Sequence, residues 1–327
     1  FNYEVPDGFK LPLPDRFPIF MNPKIGAILK RENPDVIICG GYYHPSFLAA
    51  LQYAKRYRKR FLLWCESHAE SIRLKGFPFA QYRGYFVRSS DGFLVPGRKS
   101  FDFIRSFGVK EEKIWIAPNV VDHEFFSGSA DAISLRERVR ELKRCLPSRI
   151  VLYVGRLVES KGISVLLRAF SEVSKSIEVG LMLVGDGRER QKFSEFCRRH
   201  QLNHVFFEGF KDQEELPLYY GLADLFVLPS YREEWGLVLN EAAASGLPLI
   251  STEVCGAAFE LIEEGKNGFR IQPGDFESLA DRISRILLNP EMKQVMGQFS
   301  RQKADQFSPR KCAEGFARAI LNGGDRF

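Results

Sequence analysis

Two glutamates with seven residues between them, Glu233 and Glu241, stand in segment 225–250, LFVLPSYREEWGLVLNEAAASGLPLI. An apolar run over 225–228 is stopped by Pro229 and Ser230. A helical pattern then starts near Gly236 and ends at Gly246, before a second apolar run at Leu249 and Ile250. The order is strand, loop, helix, strand. In open α/β sheets ligands bind outside the carboxyl ends of the strands, so the loop 229–236 is where a site is expected, and Glu233 projects from it. Glu241 lies more than a turn inside the helix, where a carboxylate facing the crevice can accept two hydrogen bonds from a vicinal diol such as a ribose. The amides of Gly236, Leu237 and Val238 lack intrahelical acceptors, and with the positive end of the helix dipole they form an anion site. A diol acceptor and an anion site on one helix point to a nucleotide. The alternative is that both glutamates are solvated surface charges.

Two cations fall at a comparable place. In YVGRLVESKGISVLLRAF, residues 153–170, Arg156 comes just past a strand end and Lys161 at a helix start, so both can meet a diphosphate at the carboxyl edge of a sheet. The competing reading is a salt bridge to Glu159 or Glu233. The spacing from Gly155 to Gly162 lacks the Gly-Lys-Ser/Thr ending of a P-loop, with Ile163 where a magnesium-binding hydroxyl belongs, and GxGxxG is absent. ATPase and nicotinamide chemistry are therefore disfavoured. His68, after another apolar run, is a further candidate. His200 and His204 have metal-like spacing, but a helix end separates them and no third ligand is evident, so no metal site is expected.

These residues need two sheets to hold them. From Asp35 apolar runs alternate with helical stretches: VIICGG, FLLWCES, GFLVPG and KIWIAPN, with helices after Pro45, up to Arg88 and up to Phe107. A break over 127–134 precedes helix 135–144, and the alternation restarts with IVLYVG, VGLMLVG, VFFEG, LFVLPS, PLIS and GFRIQ. The expected architecture is α/β, with two doubly wound parallel sheets facing a cleft: a first domain over 1–125, a second over 126–305, and a C-terminal helix in 306–327 crossing back to the first. A chain of 327 residues is long enough for two such cores. No repeat of 20 to 50 residues recurs.

Composition narrows the class. With 27% charged and 45% hydrophobic residues, and no apolar run near the roughly 20 residues of a membrane span, a globular cytosolic protein is expected. The six cysteines show no CxxC spacing and read as buried reduced thiols. Residues 1–121 hold 19 Lys+Arg against 11 Asp+Glu, the remainder 28 against 30, so the positive charge is concentrated in the first part. Its densest cluster, Lys55, Arg56, Arg58, Lys59 and Arg60, suits contact with anionic lipid, or a solvated helix end. Nucleic-acid binding is disfavoured because the cluster lacks a recognition motif. No signal-peptide pattern opens the chain, which starts at Phe1. Pro6, Pro12, Pro14 and Pro18 argue against any regular element in the first twenty residues, and a segment upstream is expected to be missing.

GRLVESKG (155–162), LVGDG (183–187), EGF (208–210), PSYREEWGLVLNEAAASGLP (229–248) and GAAFELIEEGKNGF (256–269), with ESHAES (66–71) and APNVVD (117–122), occur in an order and spacing that resembles the retaining glycosyltransferases of family 4, or group 1, which have the GT-B fold. The resemblance implies that Arg156 and Lys161 bind the donor diphosphate, that Glu233 faces the donor sugar, and that Glu241 holds the ribose hydroxyls. It implies that the amides of Gly236, Leu237 and Val238 approach sugar and phosphate, and that His68 reaches the sugar from the first domain. The activity implied is transfer of a hexose from a UDP- or GDP-sugar to a glycan or lipid-linked acceptor, without a metal or cofactor. Two departures stand out: Glu234 and Trp235 replace the Gly and Phe of many relatives, and the family's first strand with its glycine-rich turn has no match. A nucleotide-sugar epimerase or phosphorylase of the same fold, or a non-catalytic nucleotide-sugar-binding protein, are the other readings. A phosphorylase would need a pyridoxal-phosphate lysine, and no motif supports one.

Overall fold

The computed structural model describes residues 8–11, 19–72, 74–131 and 133–321. The chain divides into two compact units, one of Phe1–Pro118 with Cys312–Phe327 and one of Asn119–Lys311.

The first unit opens with an antiparallel pair, β1 (Phe9–Leu11) and β2 (Ile19–Met21), followed by helix α1 (Ile25–Glu32). The proline-rich opening thus contributes two short strands where none is expected from composition, because pairing between them supplies what local propensity lacks. Pro6, Pro12, Pro14 and Pro18 themselves lie outside the described residues. Then β3 (Val36–Cys39), α2 (Pro45–Arg56), β4 (Arg60–Trp64), α3 (Phe79–Ser89), β5 (Gly92–Val95), α4 (Arg98–Arg105) and β6 (Ile114–Ile116) alternate. The four strands pair in parallel in the order β3-β4-β5-β6. Side-chain alternation along β4 explains how both faces are covered. Phe61 and Leu63 enter a core with Leu51, Phe86 and Ile104, while Leu62 faces the other way, with Leu94, Ala117 and Ala319. Ala319 belongs to the chain's last helix, whose Phe316 stands edge-on to Trp64 at 5.1 Å.

The second unit begins with α5 (His123–Asp131) and α6 (Ile133–Lys143). The break expected over 127–134 is displaced: α5 continues through Asp131, anchored by Phe126, fully buried and edge-on to Tyr220 at 5.8 Å. Burial of one aromatic outweighs a serine- and glycine-rich composition. There follow β7 (Ile150–Val154), α7 (Ile163–Val173), β8 (Gly180–Val184), α8 (Arg190–Arg199), β9 (Val205–Gly209), α9 (Leu216–Leu222), β10 (Leu225–Leu228), α10 (Leu237–Ala244), β11 (Leu249–Thr252), α11 (Gly256–Leu261), β12 (Gly268–Ile271), α12 (Phe276–Leu287) and α13 (Pro290–Ala304), while the last helix, α14 (Pro309–Leu321), belongs to the first unit from Cys312 onward. The sheet is parallel throughout, in the order β12-β11-β10-β7-β8-β9. Every residue of β7, β8, β10 and β11 is buried, which is why they read as unbroken apolar runs, whereas the edge strand β9 is half-buried. The winding reverses between β7 and β10, and ligands of such sheets lie outside the strand ends at that point.

No described helix is long and apolar enough to cross a membrane. Cys39, Cys65, Cys197 and Cys255 are buried free thiols, with burial pushing Cys39 up to about 12. Cys145 is exposed and Cys312 half-buried, contrary to the expectation for all six.

Candidate active site

The loops after β7, β8 and β10 meet backbone to backbone, and glycine is what lets them. Gly162 begins α7 with φ +73, and a Cβ there would lie 1.9 Å from the carbonyl oxygen of Pro229. A Cβ on Gly185 would lie 2.0 Å from the Gly155 oxygen, and one on Gly187 would lie 2.3 Å from that of Leu157. The amide of Tyr231 donates to the Ser160 carbonyl at 3.0 Å, and that of Leu157 to Asp186 at 2.9 Å. Three motifs far apart in sequence are thereby assembled at the switch point. Within the first loop the Tyr153 hydroxyl donates to the Arg156 carbonyl at 2.9 Å, holding the turn that sets Arg156, exposed, at the end of β7.

Lys161 closes a single 3-10 turn, Glu159–Lys161, and its ammonium donates to Oε2 of Glu233, which also receives the Ser230 hydroxyl at 3.4 Å. The Lys161 and Glu233 side chains expose only 16% and 14% of their surface. The salt bridge that competes with a diphosphate role for Lys161 is therefore formed in this structure. Burial first, and the Glu233 charge second, push the Cys255 thiol up to about 12. Burial likewise raises the Tyr153 phenol, with Glu233 adding to the rise and Arg156 opposing it.

The loop that carries Glu233 is braced from below. Thr252 Oγ1 donates to the Ser230 carbonyl at 2.7 Å, and Cys255 Sγ to that of Trp235 at 2.8 Å. The Trp235 indole is buried and donates to Asn240 Oδ1 at 2.9 Å, while Asn240 Nδ2 reaches the Asn119 carbonyl at 3.4 Å. Neither Trp235 nor Asn240 stands out as a support from sequence. The available signal was a tryptophan inside a polar loop, since a buried indole requires an acceptor nearby.

Gly236, at φ +96, starts α10, and its Cβ position is closed by Cys255 Sγ and Leu228 Cδ2, both at 3.0 Å. Leu237 is exposed and Val238 half-buried, with their amides in the first turn. Glu241 accepts a hydrogen bond from the Tyr220 hydroxyl at 2.6 Å, and among the described residues Tyr220 is its one partner. Burial pushes the Glu241 carboxyl up while the Tyr220 bond opposes the rise, and the buried phenol itself is raised well above its ordinary value. Tyr220 on α9 thus orients Glu241 through one carboxylate oxygen, a contact that the pattern LPLYYGL does not reveal.

His68 belongs to the other unit, in the loop after β4. Its ring is fully buried, with Nδ1 2.8 Å from Glu70 Oε2, and the other Glu70 oxygen accepts from Lys99 Nζ at 3.2 Å. The His68 amide donates to Ser71 Oγ at 2.9 Å. Partial burial opposes ionisation of Glu70, but the bonds from His68 and Lys99 win and hold its carboxyl down at about 2. A depressed folded-state value means that the stability gained is present above the ordinary carboxylate range and is lost as pH falls toward 2. Because Glu70 is 46% exposed, the gain is modest. Glu70→Gln is expected to destabilise by about 1 kcal/mol at pH 7 and by clearly less at pH 3. Urea titrations at both pH values check this, and an equal loss at both would contradict it.

Lys161 and Glu233 are thus brought into contact, Gly236, Leu237, Val238 and Glu241 share α10, Arg156 ends β7, and His68 has partners of its own in the first unit. A reversing parallel sheet with cations, carboxylates and a helix start at its switch point, together with a second parallel α/β unit, places the chain among two-domain Rossmann-like proteins. Anabaena HepE in complex with UDP superimposes with a TM-score of 0.78 at 19% identity, over 92% of this chain and 82% of that one, so the fold is GT-B. Residues 136–303 match the family described as Glycosyl transferases group 1 and residues 3–125 match Glycosyltransferase Family 4, and the chain belongs to this family. It is similar to the D-inositol 3-phosphate glycosyltransferase of Corynebacterium jeikeium, 28% identical over 65% of this chain and 52% of that protein. It is also similar to the alpha-D-kanosaminyltransferase of Streptomyces kanamyceticus, 32% identical over 52% and 44% respectively. The chain spans about half the length of the curated relatives it matches.

Proposed function

We propose that the protein is a glycosyltransferase that moves a hexose from a UDP- or GDP-sugar to a glycan or lipid-linked acceptor, with retention of anomeric configuration, at the cytoplasmic face of a membrane. The observation that carries this reading is the Lys161–Glu233 pair at the switch point, next to the end of β7 and the start of α10. Family membership and the UDP held by HepE support the substrate class.

As the bond to the sugar breaks, negative charge develops on the leaving nucleoside diphosphate. Fixed cations and amides aimed at such charge are usually the largest catalytic contribution. Arg156, Lys161 and the first amides of α10 fill that role. Lys161 exchanges Glu233 for phosphate when the donor enters, and Glu233 is released to face the sugar. Glu241, steadied by Tyr220, accepts from the ribose hydroxyls. No metal or cofactor is assigned a step.

Calorimetry with UDP and with GDP tests the reading. One of the two nucleotides should bind, and Glu241→Ala should weaken it about 10- to 100-fold, the worth of hydrogen bonds to a charged group. Glu233→Gln should leave nucleotide affinity within a few fold while donor turnover collapses, because its partner is the sugar. An intact protein that binds neither nucleotide would sink the proposal, and equal losses of binding in both variants would undo the division of roles.

A further inference from the structure

Between Glu70 and Asp91 the chain has no acidic residue and four cations, Arg73, Lys75, Arg83 and Arg88. Residues 75–81 are exposed without interruption. They include Phe77, 79% exposed and the most exposed large hydrophobic side chain among the described residues, and Phe79, 43% exposed. Gly76 has open space around it. On α3, Gln81, Tyr85 and Arg88 follow at helical spacing on the outer face, with Tyr85 half exposed, while Arg83, Phe86 and Val87 turn inward. Phe77 in the loop before α3, Phe79 at its start and Tyr85 behind them expose apolar rings that are costly to leave in water, and with Lys75 and Arg88 in the same stretch they suit an interface between water and hydrocarbon.

Three cations of the cluster that sequence favours for such a role are engaged elsewhere. Lys55 pairs with Asp91 at 3.3 Å, Lys59 pairs with Asp35 at 3.4 Å, and Arg60 donates to the Ile320 carbonyl at 2.7 Å. Among the described residues neither Lys75 nor Arg88 has an acidic partner.

We infer that residues 75–88 form a peripheral docking surface for anionic lipid bilayers, with Phe77 and Phe79 entering the headgroup layer and Lys75 and Arg88 facing its charge. Charge complementarity selects this occupant. Two exposed cations, Lys75 and Arg88, in a stretch with no acid match a uniformly negative plane, and a run of consecutively exposed residues needs no complementary groove. The inference gives the proposed membrane-facing function a surface, and its test does not depend on transferase activity.

The test is co-sedimentation of the whole chain with phosphatidylcholine vesicles, with and without phosphatidylglycerol. The protein should bind the mixed vesicles and leave the neutral ones. Phe77→Ser with Phe79→Ser should lower the partition at least about tenfold, and Lys75→Gln with Arg88→Gln roughly thirtyfold. Lys55→Gln with Lys59→Gln should cost less than either pair. The affected side chains are exposed, so thermal unfolding should be unchanged, and nucleotide titration should match the parent protein. Absence of binding to anionic vesicles by a protein that still binds nucleotide would overturn this inference and leave the proposed function standing. Wild-type partition by the double serine variant would overturn it too. Retention on a glucan column, lost in the same variant and unmatched by vesicle binding, would assign the surface to carbohydrate instead.

Discussion

Lys161→Met should lower the rate of nucleotide release from the donor sugar by about 10²- to 10³-fold, the usual consequence of removing one group aimed at charge developing in a transition state. The loss has two parts that can be separated. Lys161 and Glu233 are each largely buried, so deleting the ammonium strands a carboxylate, and the fold should also lose about 2 kcal/mol. Adding Glu233→Gln removes the stranded charge. The double variant should regain most of the urea midpoint and none of the turnover, because the two residues support each other in the fold but, in the proposed function, act on different parts of the donor. Lys161→Met with turnover within tenfold of the parent would show that the diphosphate is held elsewhere. Full recovery of activity in the double variant would show that the pair is purely structural.

Gly162→Ala is expected to destabilise the second unit by about 3 kcal/mol or more, a size reserved for backbone strain combined with steric conflict. Alanine at φ +73 is strained on its own, and its Cβ would stand 1.9 Å from the Pro229 oxygen, so the loop leading to Glu233 must move. Gly209 supplies the control. It has φ +74, and nothing lies within 4 Å of a Cβ built on it. Gly209→Ala should therefore cost only the left-handed penalty of roughly 1 to 2 kcal/mol. The difference between the two urea midpoints measures the backbone contact between the loops. Nucleotide affinity should fall in Gly162→Ala and stay unchanged in Gly209→Ala. Equal destabilisation by both variants would mean that the loops are not locked together.

Much of this site is legible in the residue pattern because its parts are local. The apolar runs of β7 and β10, the stop at Pro229 and the glycine at the start of α10 are short-range signals, and they suffice to place Arg156, Lys161, Glu233 and Glu241 near strand ends. What escapes are partnerships across long stretches of chain. The Trp235–Asn240–Asn119 relay and the Tyr220–Glu241 bond join elements that no periodicity links. The choice between a diphosphate and Glu233 as partner of Lys161 cannot be made from spacing, since both satisfy the same ammonium. The same limit applies to the basic cluster over 55–60: sequence counts its charges but not the aspartates opposite Lys55 and Lys59, since Asp91 and Asp35 come from other parts of the chain. β1 and β2 are hidden by a composition rule that pairing overrides.

The contacts made through Gly162, Gly185 and Gly187 also bear on how this site can be changed. Each of the three loops rests on the main chain of another, so its shape is not its own property but one shared by all three. A loop transplanted singly from a relative would arrive without the surfaces it was shaped against. Altered donor preference should therefore be sought by exchanging the turns after β7, β8 and β10 as one block, or by changing side chains only. On this account the three motifs form one heritable unit written in three places along the chain.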